Sequence, residues 1–255
     1  MIDTHAHLNM FEKNGKKIIE NMENDNLQNI VTIGTTIEDS LTAIDIANKN
    51  EKIYAAVGIY PEYAGTVKEE DYTKLEEMAK SEKVVAIGEI GLDYHLEGFD
   101  KEKQKEVLIR QLEIADRVGL PFCIHCRGIN ALDDLYEILY SHKNLINHSG
   151  LMHCYSGGQK HFQQFLGLGM YLSFSGNITY KNTDRSFLKD IPLDKILVET
   201  DAPYLSPVPV RGTVNQPKNV RYTLDKIAIE IGMNPVELDK ITTKNAKTFY
   251  FKIKK

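Results

Sequence analysis

The chain is expected to be α/β, a (β/α)8 TIM barrel with extra C-terminal helices, on three observations. Short apolar, β-branched runs alternate with amphipathic stretches as far as about residue 205, and that alternation calls for parallel strands joined by helices. The runs number eight, and eight parallel strands commonly close on themselves. No glycine-rich dinucleotide fingerprint follows the first run, which disfavours the alternative, a doubly wound open sheet. A length of 255 residues with 42% hydrophobic content fits one large barrel, so residues 1–255 are read as a single domain.

The predicted strands are 2–8, 29–34, 53–58, 84–90, 120–125, 151–155, 170–175 and 195–200. Predicted helices occupy 12–26, 37–50, 69–82, 101–118, 131–141, 159–168 and 182–189 between them. The clearest is 101–118, where Val107, Leu108, Gln111, Leu112, Ile114 and Ala115 form a stripe at helical spacing. Gly119 suits the end of that helix, and Pro121 is tolerated at the start of the next strand. After residue 205 a loop carries Pro207, Pro209, Gly212 and Pro217. Three helical patterns follow, at 220–231, 235–241 and 243–251, read as the eighth helix plus C-terminal helices.

A net charge of −5 gives no basic coat. Action on nucleic acid would need locally concentrated positive charge, which metal ions can supply. No apolar run approaches membrane-spanning length and the N-terminus lacks a signal-peptide core. Three cysteines, an odd number, argue against a disulfide framework. A soluble cytoplasmic monomer with no membrane partner is expected. Cys123 and Cys126 form a C-x-x-C spacing, but on a strand they face opposite sides, so neither a redox pair nor a zinc knuckle is expected.

The candidate chemistry lies at the C-terminal ends of the runs, where barrel active sites sit. His5 and His7 share a face only if their segment is extended, because alternate strand residues point the same way. Glu89 ends the fourth run, His125 ends the fifth, His153 lies in the sixth and Asp201 follows the eighth. Any one of these has a dull explanation: a hydrogen-bonded core histidine, or a turn-forming aspartate. Together, four imidazoles and two carboxylates suit two divalent ions (Zn, Mn or Mg) bridged by Glu89. His5, His7 and Asp201 would hold one ion, His125 and His153 the other. A metal pair activates water, and Asp201 can accept its proton as general base.

These residues resemble the TatD-family metal-dependent deoxyribonucleases, within the amidohydrolase-like TIM barrels, over nearly the whole chain. Asp3-Thr4-His5-Ala6-His7-Leu8 resembles the opening motif and Gly88-Glu89-Ile90-Gly91-Leu92-Asp93-Tyr94 the second. His125-Cys126-Arg127, His153-Cys154-Tyr155-Ser156-Gly157 and Ser173-Phe174-Ser175-Gly176 are similar to later ones. So are Glu199-Thr200-Asp201-Ala202-Pro203-Tyr204-Leu205, the Arg211-Gly212, Asn215 and Pro217 group, and Asn245-Ala246. The resemblance implies a divalent-metal hydrolase whose partner is DNA or a small phosphodiester substrate. Arg127 and Arg211 then fit phosphate, and Tyr155 and Tyr204 fit stacking on bases.

One departure stands out. The family pattern G-x-H-P-H is replaced by Gly58-Ile59-Tyr60-Pro61-Glu62. Tyr60 can still donate a hydrogen bond to substrate but cannot act as an imidazole acid or base. Three function classes follow: a nuclease, a metal-dependent hydrolase of C–N or C–O bonds (cyclic amide, lactone or D-aminoacyl-tRNA ester), and a catalytically weak metal-binding or interaction protein. Arg127 and Arg211 favour the first. The acidic charge and the Tyr60/Glu62 change favour the second. The intact ligand set argues against the third. His95, His142, His148 and His161 are read as structural or surface residues.

Overall fold

Eight parallel strands pair in chain order: β1 (Ile2–Ala6), β2 (Asn29–Ile33), β3 (Ile53–Val57), β4 (Val84–Asp93), β5 (Phe122–Arg127), β6 (Gly150–Met152), β7 (Tyr171–Phe174) and β8 (Ile196–Val198). A computed structural model describes residues 1–11, 13–95 and 98–254. The barrel is nearly closed. Its seam between β8 and β1 is made by single interactions rather than a ladder. Ala6 bridges Ala202 in parallel register, His7 N–H donates to Ala202 O at 2.7 Å, and Asp201 N–H donates to His5 O at 2.9 Å. Deeper in the seam, Thr4 Oγ1 donates to Val198 O at 2.9 Å, and Thr200 N–H donates to Asp3 Oδ1 at 2.9 Å.

Helices α1 (Lys13–Glu20), α2 (Ile37–Asn48), α3 (Glu69–Met78), α4 (Lys101–Val118), α5 (Ala131–Ser141) and α6 (Gln159–Gly167) follow the first six strands. In α4 the expected stripe is buried, Asp100 caps the N-terminus, and Gly119 ends the helix at φ 70°. The helix expected over 182–189 is not present. Only 3-10 turns, Gly176–Thr179, Ser186–Asp190 and Leu193–Lys195, separate β7 from β8. Asp184 Oδ1 accepts from Ser186 N–H and Oγ, and Thr183 Oγ1 donates to Asn177 O. Such local side-chain bonds compete with a helical ladder. Helix α7 (Val220–Ile231) packs against two of these turns. The two expected C-terminal segments form one helix, α8 (Pro235–Phe249). Its buried face of Leu238, Thr242, Asn245, Ala246 and Phe249 runs without a break.

All eight strands place an apolar residue in one inner cluster, among them Ile2, Val31, Tyr54, Val85, Leu151 and Leu197. Phe249, Tyr250 and Ile253 join it from the end of α8. Tyr250 Oη donates to Thr4 O at 3.1 Å. The C-terminal helix therefore stops the barrel at the end opposite the candidate site. A second, larger cluster lies between sheet and helices. No helix among the described residues is long and apolar enough to cross a membrane.

Strands β1 and β4 shift register where their candidate residues sit, between Asp3 and Ala6 and between Ile87 and Ile90. Such irregularities re-aim side chains. Beside the second shift, Gly91 lies at φ 143°, and a Cβ there would fall 1.9 Å from His125 O. Only glycine lets β4 approach β5 this closely. Gly91→Ala is expected to destabilise the fold by at least ~2 kcal/mol, from overpacking and an unfavourable φ together. Chemical denaturation measures this. Unchanged stability would mean that the two strands separate without cost.

Candidate metal centre

The ends of five strands converge at the barrel mouth. His5 lies within β1 and His7 one residue beyond it, Glu89 and Asp93 come from β4, and His125 comes from β5. His153 sits just past β6, which ends at Met152 rather than continuing to 155 as expected. Asp201 follows β8 at φ 56°, a left-handed conformation that aspartate tolerates. Its backbone is held by the bond to His5 O and by Tyr204 N–H, which donates to Asp201 O at 2.8 Å.

Glu89 stands at the centre. Its Oε1 is 2.9 Å from His153 Nε2 and 3.0 Å from His125 Nδ1. Its Oε2 is 3.5 Å from His5 Nε2 and 3.9 Å from His7 Nε2. Those two nitrogens also face Asp201 Oδ1, at 3.7 Å and 3.4 Å. Donor atoms within 4.8 Å of one another form three groups that could hold a metal ion: His5, His7 and Asp201; Glu89, His125 and His153; and His5, His153 and Glu199. His5 Nε2 is buried and has no hydrogen-bond partner among the described residues. An orphaned buried nitrogen costs about 1–3 kcal/mol. Aimed at two carboxylates at distances too long for good hydrogen bonds, it suits a shared cation. The imidazole and carboxylate donors thus fit a divalent ion.

Two carboxylates absent from the expected site complete it. His153 Nδ1 donates to Glu199 Oε1 at 3.0 Å, and Cys154 N–H donates to the same oxygen at 2.7 Å. An ionised carboxylate only accepts, so a proton on His153 Nδ1 serves Glu199, and Nε2 faces Glu89. Asp93 Oδ2 lies 3.1 Å from His125 Nε2 and plays the same part for that ring. Both carried a signal. Asp93 has the strand parity of Glu89, and Glu199 is a charge directly after an apolar run, rare unless paired.

Burial and neighbouring charge oppose each other at these groups. Burial opposes ionisation of Glu89, but His153, His125 and His5 more than reverse it and hold its carboxyl well below the ordinary range. Burial likewise opposes charge on His153, yet Glu89 and Glu199 lift it well above the usual imidazole value. Against the same opposition, Asp93 and Glu89 raise His125, and Asp201 and Glu89 raise His7. His5 is lowered, by burial and by His153. For Asp93, hydrogen bonds from His125, His95 N–H and Tyr60 outweigh burial and pull the carboxyl down to about 2. Without metal, His7, His125 and His153 thus hold their protons to higher pH than an ordinary imidazole, facing Glu89, Asp93 and Asp201.

The residues expected to meet substrate divide. Arg127 is exposed at the end of β5, and its charge is felt at the Tyr60 hydroxyl. Arg211 is exposed and stacks over the Tyr180 ring at 4.2 Å. Tyr204 is half exposed, its ring 6.1 Å from that of His7. Tyr155 corrects the expectation. Its ring is buried edge-on against Phe174 and Phe187 and its hydroxyl donates to Gly158 O at 3.0 Å, leaving no free face for a base. Tyr60 is also committed within the protein, donating to Asp93 Oδ2 at 2.8 Å. Cys123 Sγ lies under His5, 3.5 Å from Nδ1. His142 and His161 make local bonds to Ile138 O and Asp133.

The model of the TatD related DNase family matches residues 2–251. The chain is 37% identical to an uncharacterized metal-dependent hydrolase, YabD, of Bacillus subtilis, over 98% of each chain. It is 29% identical to the 3'-5' ssDNA/RNA exonuclease TatD of Cronobacter sakazakii, over 89% of this chain and 88% of that one. Among solved structures, the TatD homologue YJJV of Escherichia coli superposes with a TM-score of 0.91 at 26% identity, covering 98% and 97% of the two chains.

Metal binding at this mouth should be strongly pH-dependent. Imidazoles bind metal only when neutral, and His7, His125 and His153 keep their protons to higher pH than an ordinary imidazole. Zinc affinity should therefore fall as pH is lowered from 8 to 6, by more than about 10-fold per unit where an ion displaces more than one proton. Chelator competition measures the affinity. Constant affinity across that window would contradict this electrostatic account.

Proposed function

Because the chain belongs to the TatD related DNase family, we propose that this metal-dependent hydrolase cleaves DNA phosphodiester bonds with water, using two divalent ions. The observation that carries the reading is the placement of Glu89, with one oxygen toward His125 and His153 and the other toward His5 and His7. His5, His7 and Asp201 would hold one ion, His125 and His153 the other, with Glu89 reaching both. A divalent pair supplies an activated water and stabilises the attacking and leaving oxygens.

The chain's own groups supply the rest. Asp201 opens on the mouth, with its side chain 14% exposed. Histidines His7, His153 and His5 keep it ionised despite burial, so it can take the proton of the attacking water. Arg127 can grip a non-bridging phosphate oxygen with two N–H donors. Arg211 offers a second fork, held over Tyr180. Tyr204 offers a ring face to a base beside His7. With a net charge of −5, attraction of a polyanion depends on these arginines and the ions. The name of the Cronobacter sakazakii relative, a 3'-5' ssDNA/RNA exonuclease, supports single-stranded DNA as the substrate to test first.

The test is Arg127→Lys, which keeps the charge and removes the fork. On single-stranded DNA, kcat/KM should fall about 10-fold or more, as for loss of a charge-assisted bond worth roughly 1.5–3 kcal/mol. A carboxylic ester should lose much less, and bound metal should be unchanged. Equal losses on both substrates would make Arg127 a structural support. A wild-type chain that turns over the ester but not DNA would favour the C–O hydrolase.

A further inference from the structure

Tyr60 follows β3 at a position where the family pattern has histidine, and its surroundings are unusually specific. Its hydroxyl donates to Asp93 Oδ2 at 2.8 Å and lies 3.0 Å from His125 Nε2. That same nitrogen lies 3.1 Å from Asp93 Oδ2. With its proton given to Asp93, the hydroxyl oxygen is free to accept from Nε2–H. Tyrosine and carboxylate therefore share the outer nitrogen of His125, while Nδ1 faces Glu89 Oε1 at 3.0 Å. The two rings lie 4.8 Å apart, tilted by 59°.

Helix α4 fixes both partners from behind. Gln111 accepts from Ile59 N–H at 2.8 Å and donates to Ile59 O at 3.0 Å. Gln104 accepts from Asp93 N–H at 2.9 Å and donates to Asp93 O at 3.0 Å. Both glutamines are fully buried on an otherwise apolar stripe. A buried amide is costly unless its hydrogen bonds are made, and here each amide spends both ends on the backbone of one residue. Tyr60 N–H is held as well, donating to Thr35 O at 2.9 Å. Neither glutamine touches a candidate ligand. What they hold is the backbone of Asp93 and of the residue before Tyr60.

We propose that Tyr60 is a positioning residue, whose hydroxyl, together with Asp93, holds the outer nitrogen of His125 so that the inner nitrogen faces the ion it shares with Glu89. The proposal rests on His125 being a metal ligand, as in the proposed function, but not on the identity of the substrate. It gives a departure from the family pattern a task. The side chain that replaces histidine is spent on orienting a ligand and is not available as a free acid or base.

Tyr60→Phe in the full chain is the test, because phenylalanine keeps the ring and its packing. Zinc is titrated against a chromophoric chelator with no substrate present. One of the two binding steps should weaken by about 10-fold, the low end of the loss when a partner of a metal-bound imidazole is removed. The other step should be unchanged. In the zinc-loaded protein the His125 Nε2–H resonance should be sharp, and in the variant it should broaden through faster exchange with water. Asp93→Asn should weaken the same step. Unchanged affinity and an unchanged resonance in Tyr60→Phe would overturn the proposal, whatever Asp93→Asn does. A wild-type chain that binds no zinc would overturn the metal-centre reading itself, and that result is distinct because it precedes any substitution.

Discussion

The mouth of the barrel is built around the cost of burying Glu89 as an anion. An isolated carboxylate in such a place would simply take up a proton. Here four imidazoles crowd its two oxygens, and three of them also face a further carboxylate: His153 faces Glu199, His125 faces Asp93 and His7 faces Asp201. The charges alternate outward from the centre. Protons on the imidazoles and a cation among them answer the same buried negative charge, so the two compete for this cluster.

Such alternation requires side chains from five strands to meet within a few ångströms, and the scaffold bears that demand. The seam between β8 and β1 brings Asp201 against His5 through the backbone, so two candidate ligands distant in sequence share a hydrogen bond. Strands β1 and β4 give up regular pairing where they present His5 and Glu89. Helix α4 spends two buried glutamines on the backbone of Ile59 and Asp93. At the opposite end, Tyr250 and the end of α8 pack against the barrel interior.

Much of this was legible in the sequence, for physical reasons that differ by element. Strand runs are apolar on both faces because a parallel sheet is covered on both sides, so all eight stood out. Helix α4 carries its cap, stripe and terminating glycine in order, and its bounds are as expected. The 182–189 segment misled because its spacing is helical while Asp184, Ser186 and Thr183 satisfy the backbone locally. Tyr155 misled because position at a strand end does not say whether a ring turns to the mouth or to the core. Asp93 and Glu199 were missed because they act through other residues. Their partners, His125 and His153, are set by pairing between strands that sequence spacing alone does not supply.

In the proposed function Glu89 lies between two ions. Crystals grown with manganese and measured at its absorption edge address this directly. The predicted result is two anomalous peaks, one among His5, His7 and Asp201 and one between His125 and His153, each within bonding distance of a Glu89 oxygen. A single peak remote from Glu89, or no peak at the mouth at all, would contradict it.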